Sequence, residues 1–347
     1  MSITSTAFLE SIFKTQKEKT LSGKWIRFKD LKNLFQKYES LFDVQQIGVS
    51  EYDRPIYQLK IGTGQKKILL WSQMHGNEST GTRALFDLFN CFLNDNATEL
   101  KTILDNCTLV FIPMLNPDGA EVYTRVNGNN IDLNRDAVAK TAKESKLLRS
   151  VLESFNPQFC FNLHDQRTIF NVEGTKNPAT ISFLAPSEEI TRKITAGRKQ
   201  TMNVIIAMNN MLQKIIPNHV GRYTDEFYPT ATGDNFQKLG YNTILIESGH
   251  YKEDYNREES RKYTFYSILQ GLSYIANTSD FSTYKDYFNI PNNSKDFYDV
   301  IHRFSDSSKD VAFQYKDEIL ENKLVSKLIQ VDDDSLKEKF GHSEIVF

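Results

Sequence analysis

Two hydrophobic rhythms alternate along the chain. Phe28, Leu31, Leu34, Phe35 and Tyr38 recur at steps of three and four, which predicts an amphipathic helix. From Ile56 the step falls to two: Ile56, Gln58 and Lys60 alternate with Tyr57, Leu59 and Ile61. The turn signal Gly62-Thr63-Gly64 ends that strand. Short continuous apolar runs follow at residues 68–71, 107–115, 159–163 and 243–246, each suited to a strand buried on both faces. Helical spacing separates them, at Ala84, Leu85, Leu88, Phe89, Phe92 and Leu93, at Leu147, Leu148, Val151, Leu152 and Phe155, and over a longer stretch from Ser187 towards Ile216. Buried strands alternating with amphipathic helices predict an α/β sheet covered on both sides. After Ala276 the texture turns polar and rich in Asn and Ser, as in a linker or wrapping segment. Val311, Phe313 and Tyr315 then alternate like a strand, and residues 324–331 suit another. The expected organisation is a helical lead-in over 1–45, a main unit over 46–278 and a small α+β appendage over 285–347.

Composition narrows the partners. The 347 residues carry 42 Lys+Arg against 44 Asp+Glu, a formal charge of −2, so a broad basic field for nucleic acid is not expected. The local basic run from Lys14 to Lys37 reads as the solvated face of the first helix rather than as a phosphate or membrane site. With 24 Phe and 16 Tyr the chain can fill a large core, which excludes global disorder. Cys91, Cys107 and Cys160 form no C-x-x-C pair and suit a reducing compartment. No stretch has the form of a signal peptide or reaches the length of a membrane span, so the expectation is a cytoplasmic protein with no membrane partner.

The chemistry collects where these strands end. His75 and Glu78 follow the run 68–71, Asn116-Pro117-Asp118-Gly119 follows 107–115, His164-Asp165 closes 159–163, and Glu247 closes 243–246. In open α/β sheets, ligands bind at the carboxyl edge of the strands. Two His and one Glu are the donor set of a catalytic zinc site, which leaves a position for water. His75 and Glu78, three apart, can both be aimed at one ion by a turn, with His164 completing the set. Metal-activated water needs a carboxylate to take its proton and pass it to a leaving amine, and Glu247 stands where such a base is needed. Arg125 can meet a developing oxyanion, a task Arg83 or Arg167 can share. Asn134 and Arg135 can grip a substrate carboxylate. Asp132 can hold the second nitrogen of a ligand histidine.

His75-Gly76-Asn77-Glu78, Asn116-Pro117-Asp118-Gly119, Asp132-Leu133-Asn134-Arg135, His164 and Glu247, taken in this order, resemble the zinc carboxypeptidase family. The resemblance runs from about Gly48 to about Ala276. It implies a mixed eight-stranded sheet flanked by helices, and one Zn2+ per chain held by His75, Glu78 and His164. It further implies Glu247 as general base, Arg125 as oxyanion stabiliser, Asn134 and Arg135 as the carboxylate site, and Asp132 as the partner of His75. The implied activity is hydrolysis of the C-terminal peptide bond of peptides that end in a free carboxylate.

The digestive members of that family are secreted and disulfide-bonded, unlike this sequence. Their pocket tyrosine has two counterparts here, Tyr228 first and Tyr223 second. The pocket floor falls in residues 231–236, where Asp234 either favours a basic side chain or caps a turn. His250 reads as a pocket-edge or structural residue, and His219, His302 and His342 as background. Three rival functions stand beside the peptidase: an aspartoacylase-like deacylase of N-acyl amino acids, which shares the H-G-N-E and D-L-N-R pairing, a cell-wall peptide amidase, and a peptide-binding pseudo-peptidase.

Overall fold

Alternate residues of strand β3 (Lys66–Ser72) point to opposite sides of a sheet, and both sides are buried. Ile68 and Leu70 join one apolar cluster, Leu69 and Trp71 the other. That double burial is why the strand reads as a continuous apolar run. The computed structural model describes residues 5–305, 309–333 and 335–347.

The main sheet has eight strands: β1 (Asp43–Val49), β2 (Pro55–Ile61), β3, β4 (Cys107–Ile112), β5 (Phe159–Asp165), β7 (Ile181–Leu184), β8 (Val220–Arg222) and β9 (Asn242–Ser248). β6 (Phe170–Val172) lies outside it and pairs with β10 (Asn293–Lys295). The spatial order is β1-β2-β4-β3-β5-β9-β7-β8. The pairs β4·β3, β3·β5, β5·β9 and β7·β8 are parallel, whereas β1·β2, β2·β4 and β7·β9 are antiparallel. This is the mixed eight-stranded sheet that the family resemblance implies.

The helices are α1 (Thr6–Gln16), α2 (Phe28–Tyr38), α3 (Thr80–Asn94), α4 (Thr98–Asn106), α5 (Pro117–Val122), α6 (Lys143–Phe155), α7 (Ala196–Leu212), α8 (Thr232–Lys238) and α9 (Glu258–Asn277). Residues of α1–α4, α7 and α9 fill the first cluster, and those of α6 and α8 the second. The helix expected from Ser187 begins only at Ala196, because Thr195 caps it by accepting a hydrogen bond from the Arg198 amide at 3.2 Å. No described helix is long and apolar enough to cross a membrane.

Beyond α9, the strands β11 (Phe297–Arg303), β12 (Val311–Leu320), β13 (Lys323–Val331) and β14 (Phe340–Val346) form a second sheet in the order β13-β12-β11-β14. Two 3-10 turns, Lys285–Asn289 and Leu336–Glu338, accompany it. Its core is small: Ile301, Ala312 and Leu336. It is fastened to the main unit by polar contacts. Lys24 pairs with Asp317, Tyr123 donates its hydroxyl to Asp317 at 3.3 Å, and Tyr255 donates to Asp299 at 3.2 Å. The sheet therefore stands beside the carboxyl ends of the central strands.

Candidate active site

The loop after β3 and the start of α5 meet backbone to backbone. A Cβ on Gly76 would lie 2.0 Å from the Gly119 carbonyl carbon, so a larger residue there would force the loops apart. Asn116 caps α5 by accepting from the Gly119 amide at 2.8 Å, and its Nδ2 donates to the Met74 carbonyl at 3.1 Å. Pro117 occupies the first helical position, where its missing N–H costs nothing. Asn-Pro-Asp-Gly is thus a helix start that fixes the backbone just before His75. Asp118 anchors it further, accepting from Ser50 Oγ at 2.8 Å and the Tyr52 amide at 2.9 Å, and pairing with Arg54 at 2.6 Å.

Beyond this support, three side chains converge. His75 Nδ1 lies 2.8 Å from Glu78 Oε1, His164 Nδ1 lies 2.9 Å from Glu78 Oε2, and the two Nδ1 atoms are 3.1 Å apart. One ligand-type atom from each falls within 4.8 Å of the others. His75 Nε2 contacts Asp132 Oδ1 at 3.1 Å, which leaves Nδ1 to face the cluster. Glu78 Oε2 also accepts from the Asp165 amide at 3.1 Å.

The electrostatics fit a buried cation. Burial pushes the Glu78 carboxyl up, but His75 and His164 more than reverse this and hold it well below the usual range. Burial likewise favours neutral imidazole; Glu78 and Asp132 overturn that at His75, whereas His164 stays shifted down. Tetrahedral zinc with Zn–N near ~2.0–2.1 Å has edges of about 3.3 Å, close to the spacing of these atoms. Two imidazoles and a carboxylate, stripped of solvent and turned towards one point, fit Zn2+.

Glu247 on β9 is the registered neighbour of His164 on β5. Burial pushes its carboxyl well above the ordinary range, and the charges of Glu78 and Asp165 push the same way. Arg125 bridges two members of the site: its Nε donates to Asp132 at 3.0 Å and one terminal nitrogen to Glu78 at 3.4 Å. Arg83 is instead fully buried and paired with Glu258 at 2.6 Å, while Arg167 is exposed nearby. A 3-10 turn, Leu133–Arg135, carries Asn134 and Arg135. Asn134 Oδ1 accepts from the Thr232 amide at 3.1 Å, and Arg135 is exposed, donating to the Asn134 carbonyl at 3.0 Å.

The two tyrosines divide. Tyr228 is 50% exposed, and its hydroxyl donates to Glu226 at 2.8 Å. Tyr223 is held protonated by burial and by the charges of Glu247 and Glu78. Asp234 is buried, accepts from the Tyr228 amide at 3.1 Å, and is pushed up by burial to about 6. It therefore acts at least as the anchor of the Tyr228 loop. His250 is buried with its ring 4.1 Å from that of His342, which docks on the Thr168 carbonyl at 2.8 Å. His342 thus belongs to the junction of the two sheets rather than to background. Sequence reading missed Asn77, Asp165 and Gln314, which line a cavity of about 580 Å3 next to Glu78 and Arg125. Asn77 and Asp165 lie inside or beside the metal motifs, a signal that could have singled them out; Gln314 had none.

The sequence matches the zinc carboxypeptidase family over residues 29–317. Carboxypeptidase 2 of Trichophyton rubrum is 27% identical over 105 residues, 29% of this chain and 19% of that protein. Human carboxypeptidase D is 25% identical over 166 residues, 41% of this chain and 12% of that protein. The chain spans about one fifth of the length of the fungal relatives it matches. In fold it is similar to a metallo-carboxypeptidase from Burkholderia cenocepacia, with a TM-score of 0.58 and 17% identity over 72% of this chain and 69% of that one. Carboxypeptidase A from Helicoverpa armigera gives a TM-score of 0.58 at 14% identity, covering 79% and 80% of the two chains. Since the family match takes in most of the sequence, the chain belongs to the zinc carboxypeptidase family.

Proposed function

We propose that this protein is a zinc-dependent metallocarboxypeptidase that removes the C-terminal residue from peptides with a free carboxylate. The observation that carries the reading is the convergence of His75, Glu78 and His164, with Glu247 on the adjoining strand. A bound Zn2+ would supply a Lewis acid and an activated water at neutral pH. His75, Glu78 and His164 would hold it, with Asp132 fixing the tautomer and orientation of His75.

Glu247 would take a proton from the attacking water and return it to the departing amine, a transfer favoured by a carboxyl whose pKa is raised. Arg125, braced by Asp132 and Glu78, would donate to the oxygen that gains charge as the carbonyl is attacked. The exposed guanidinium of Arg135, beside the tethered Asn134, would bind the terminal carboxylate. Tyr228 would cover that end of the substrate, and Asp234 would keep its loop in place.

We assign residues 46–278 to catalysis, 1–45 to a helical lead-in and 285–347 to a wall beside the site. Cys91, Cys107 and Cys160 are buried and unpaired, which agrees with the cytoplasm as the working compartment. The test is mass spectrometry of the zinc-loaded protein with a pool pairing free C-terminal peptides with their amides, together with N-acyl amino acids. Loss of single C-terminal residues from the free peptides alone is expected. Cleavage confined to N-acyl amino acids would replace the reading with a deacylase.

A further inference from the structure

Residues 24–26 of the lead-in hold the loop that carries His75 and Glu78 at both of its ends. Before the loop, Gln73 Nε2 donates to the Ile26 carbonyl at 2.8 Å. After it, the Ser79 hydroxyl donates to the Lys24 carbonyl at 2.6 Å. Between these two points Trp25 donates its indole N–H to the Ala120 carbonyl at 2.9 Å, on the helix α5 whose Gly119 abuts Gly76. The Lys24 side chain also reaches the second sheet, where it pairs with Asp317. Three consecutive residues thus join the loop, α5 and β12. They precede residues 29–317, the part of the sequence that matches the family, so the family match does not account for them.

Gln73 is the centre of this arrangement. It is buried, and its backbone φ of 51° lies in the left-handed region, which a residue with a long side chain rarely adopts. Such strain persists where the surroundings hold it, and it gathers at functional sites. Here the side-chain amide does the holding. One N–H serves the Ile26 carbonyl and the other the Gly76 carbonyl at 2.9 Å, while Oε1 lies 2.9 Å from Thr82 Oγ1. Reversing the amide would set its oxygen against two carbonyls, so its orientation is fixed. The Gln73 carbonyl accepts from the Asn116 amide at 3.1 Å. Gly76 stands in sequence between the two ligand residues. The next two amides are bonded as well, Asn77 to the Thr124 carbonyl at 3.2 Å and Glu78 to the His75 carbonyl at 3.1 Å. Gln73 therefore acts on the turn from His75 to Glu78, and the lead-in acts on Gln73.

We propose that Gln73 is a positioning residue for the metal ligands, and that residues 24–26 are the support against which it holds them. Gln73 is no member of the donor set, which remains His75, Glu78 and His164. It sets the direction from which His75 and Glu78 approach the ion. The inference rests on the reading of those three residues as the zinc site.

The experiment measures zinc affinity by competition with a chelator, and the visible spectrum of the cobalt-substituted protein, for wild type, Gln73→Gly and Ser79→Ala. Urea unfolding of each zinc-free protein runs alongside. Glycine accepts the positive φ and removes the amide, so it separates the backbone conformation from the hydrogen bonds. Gln73→Gly should weaken zinc affinity roughly 10–100-fold, the usual effect of losing a group that orients a metal ligand. Ser79→Ala should weaken it in the same direction, and the cobalt band should shift in both variants. A merely structural role would lower the unfolding midpoint of the zinc-free protein and leave the affinity and the spectrum of the folded protein unchanged. That result would overturn the proposal. If Gln73→Gly fails to fold, Ser79→Ala and Trp25→Phe decide by the same two readouts, and unchanged affinity in both refutes it. Wild-type protein that takes up no zinc would overturn the reading of the site and this inference together. Stoichiometric zinc in wild type, with unaltered affinity in the variants, would overturn this inference alone.

Discussion

His164 and Glu247 stand side by side, residue opposite residue, on the parallel strands β5 and β9. Because both point to the same side of the sheet, the proposed third metal ligand and the proposed base are set by one strand pairing. Their spacing needs no loop to hold it. A one-residue slip of β9 against β5 would turn Glu247 to the opposite face from His164.

The first prediction follows from that pairing. Glu247→Gln preserves shape and removes the proton acceptor, so zinc content should stay near one per chain while kcat falls by roughly 10²–10⁴. Metal analysis and steady-state kinetics on one preparation check it. Full activity would remove Glu247 from the role of base.

His75 contacts both Glu78 and His164 and is braced by Asp132. His75→Ala should therefore abolish stoichiometric zinc. Asp132→Ala, which removes only the brace, should weaken affinity by roughly 10–100-fold. Zinc titration against a competing chelator distinguishes the two. Equal metal content in wild type and His75→Ala would take His75 out of the ligand set.

Arg135 has no ion pair among the described residues and only the Asn134 carbonyl as a hydrogen-bond partner, so it is available for a substrate carboxylate. Arg135→Ala should raise KM for free-carboxylate peptides roughly 10–100-fold, the worth of a charge-assisted contact. Amidated peptides should remain equally poor. If the variant still separates free from amidated peptides as sharply as wild type, Arg135 is not the clamp.

The central strands and the order of the site motifs were legible because strands buried on both faces appear as unbroken apolar runs, and because their polar termini share one sheet edge. Helix α9 was not. Ser260, Thr264, Ser267, Gln270 and Ser273 are buried alongside Phe265, Ile268 and Leu272, so the helix has no polar stripe to reveal its period. That the charge of Glu247 acts on Tyr223 was also hidden, since it depends on how β8 lies across β7 rather than on local sequence. Gln314 escaped notice because it reaches the site only through the docking of the second sheet, and β12 carries no chemical motif. The half-exposed strands of that sheet show alternation without saying what they stand against.

Asp87 and Arg261 form an ion pair at 2.6 Å with neither side chain exposed. Arg261 also donates to the Leu21 and Glu18 carbonyls, at 2.6 and 2.8 Å, and so ties α9 to the lead-in. Asp87→Ala strands a buried guanidinium and should cost about 3–5 kcal/mol in urea unfolding. Replacing both, as Asp87→Leu with Arg261→Met, should cost less than the single change, because no charge is left uncompensated. A double variant less stable than Asp87→Ala would contradict this account.

The lead-in should also make stability depend on acid. Burial pushes the Glu18 carboxyl up, but hydrogen bonds from Lys37, Thr20 and Asn90 reverse this and bring it to about 2, from 4.5. A carboxylate depressed on folding stabilises the native state above its unfolded pKa and loses that contribution as pH falls towards the folded value. The window is therefore pH 4.5 down to about 2. At about 1.36 kcal/mol per unit, the contribution is up to about 3 kcal/mol. Glu18→Gln should lower stability at pH 7 and flatten the decline across that window, because the group that takes up the proton is gone. Urea unfolding at pH 7 and at intervals from 5 to 2.5 would show the two curves converging as the acid limb is descended. Parallel curves would mean that Glu18 contributes through packing and neutral hydrogen bonds rather than through its charge.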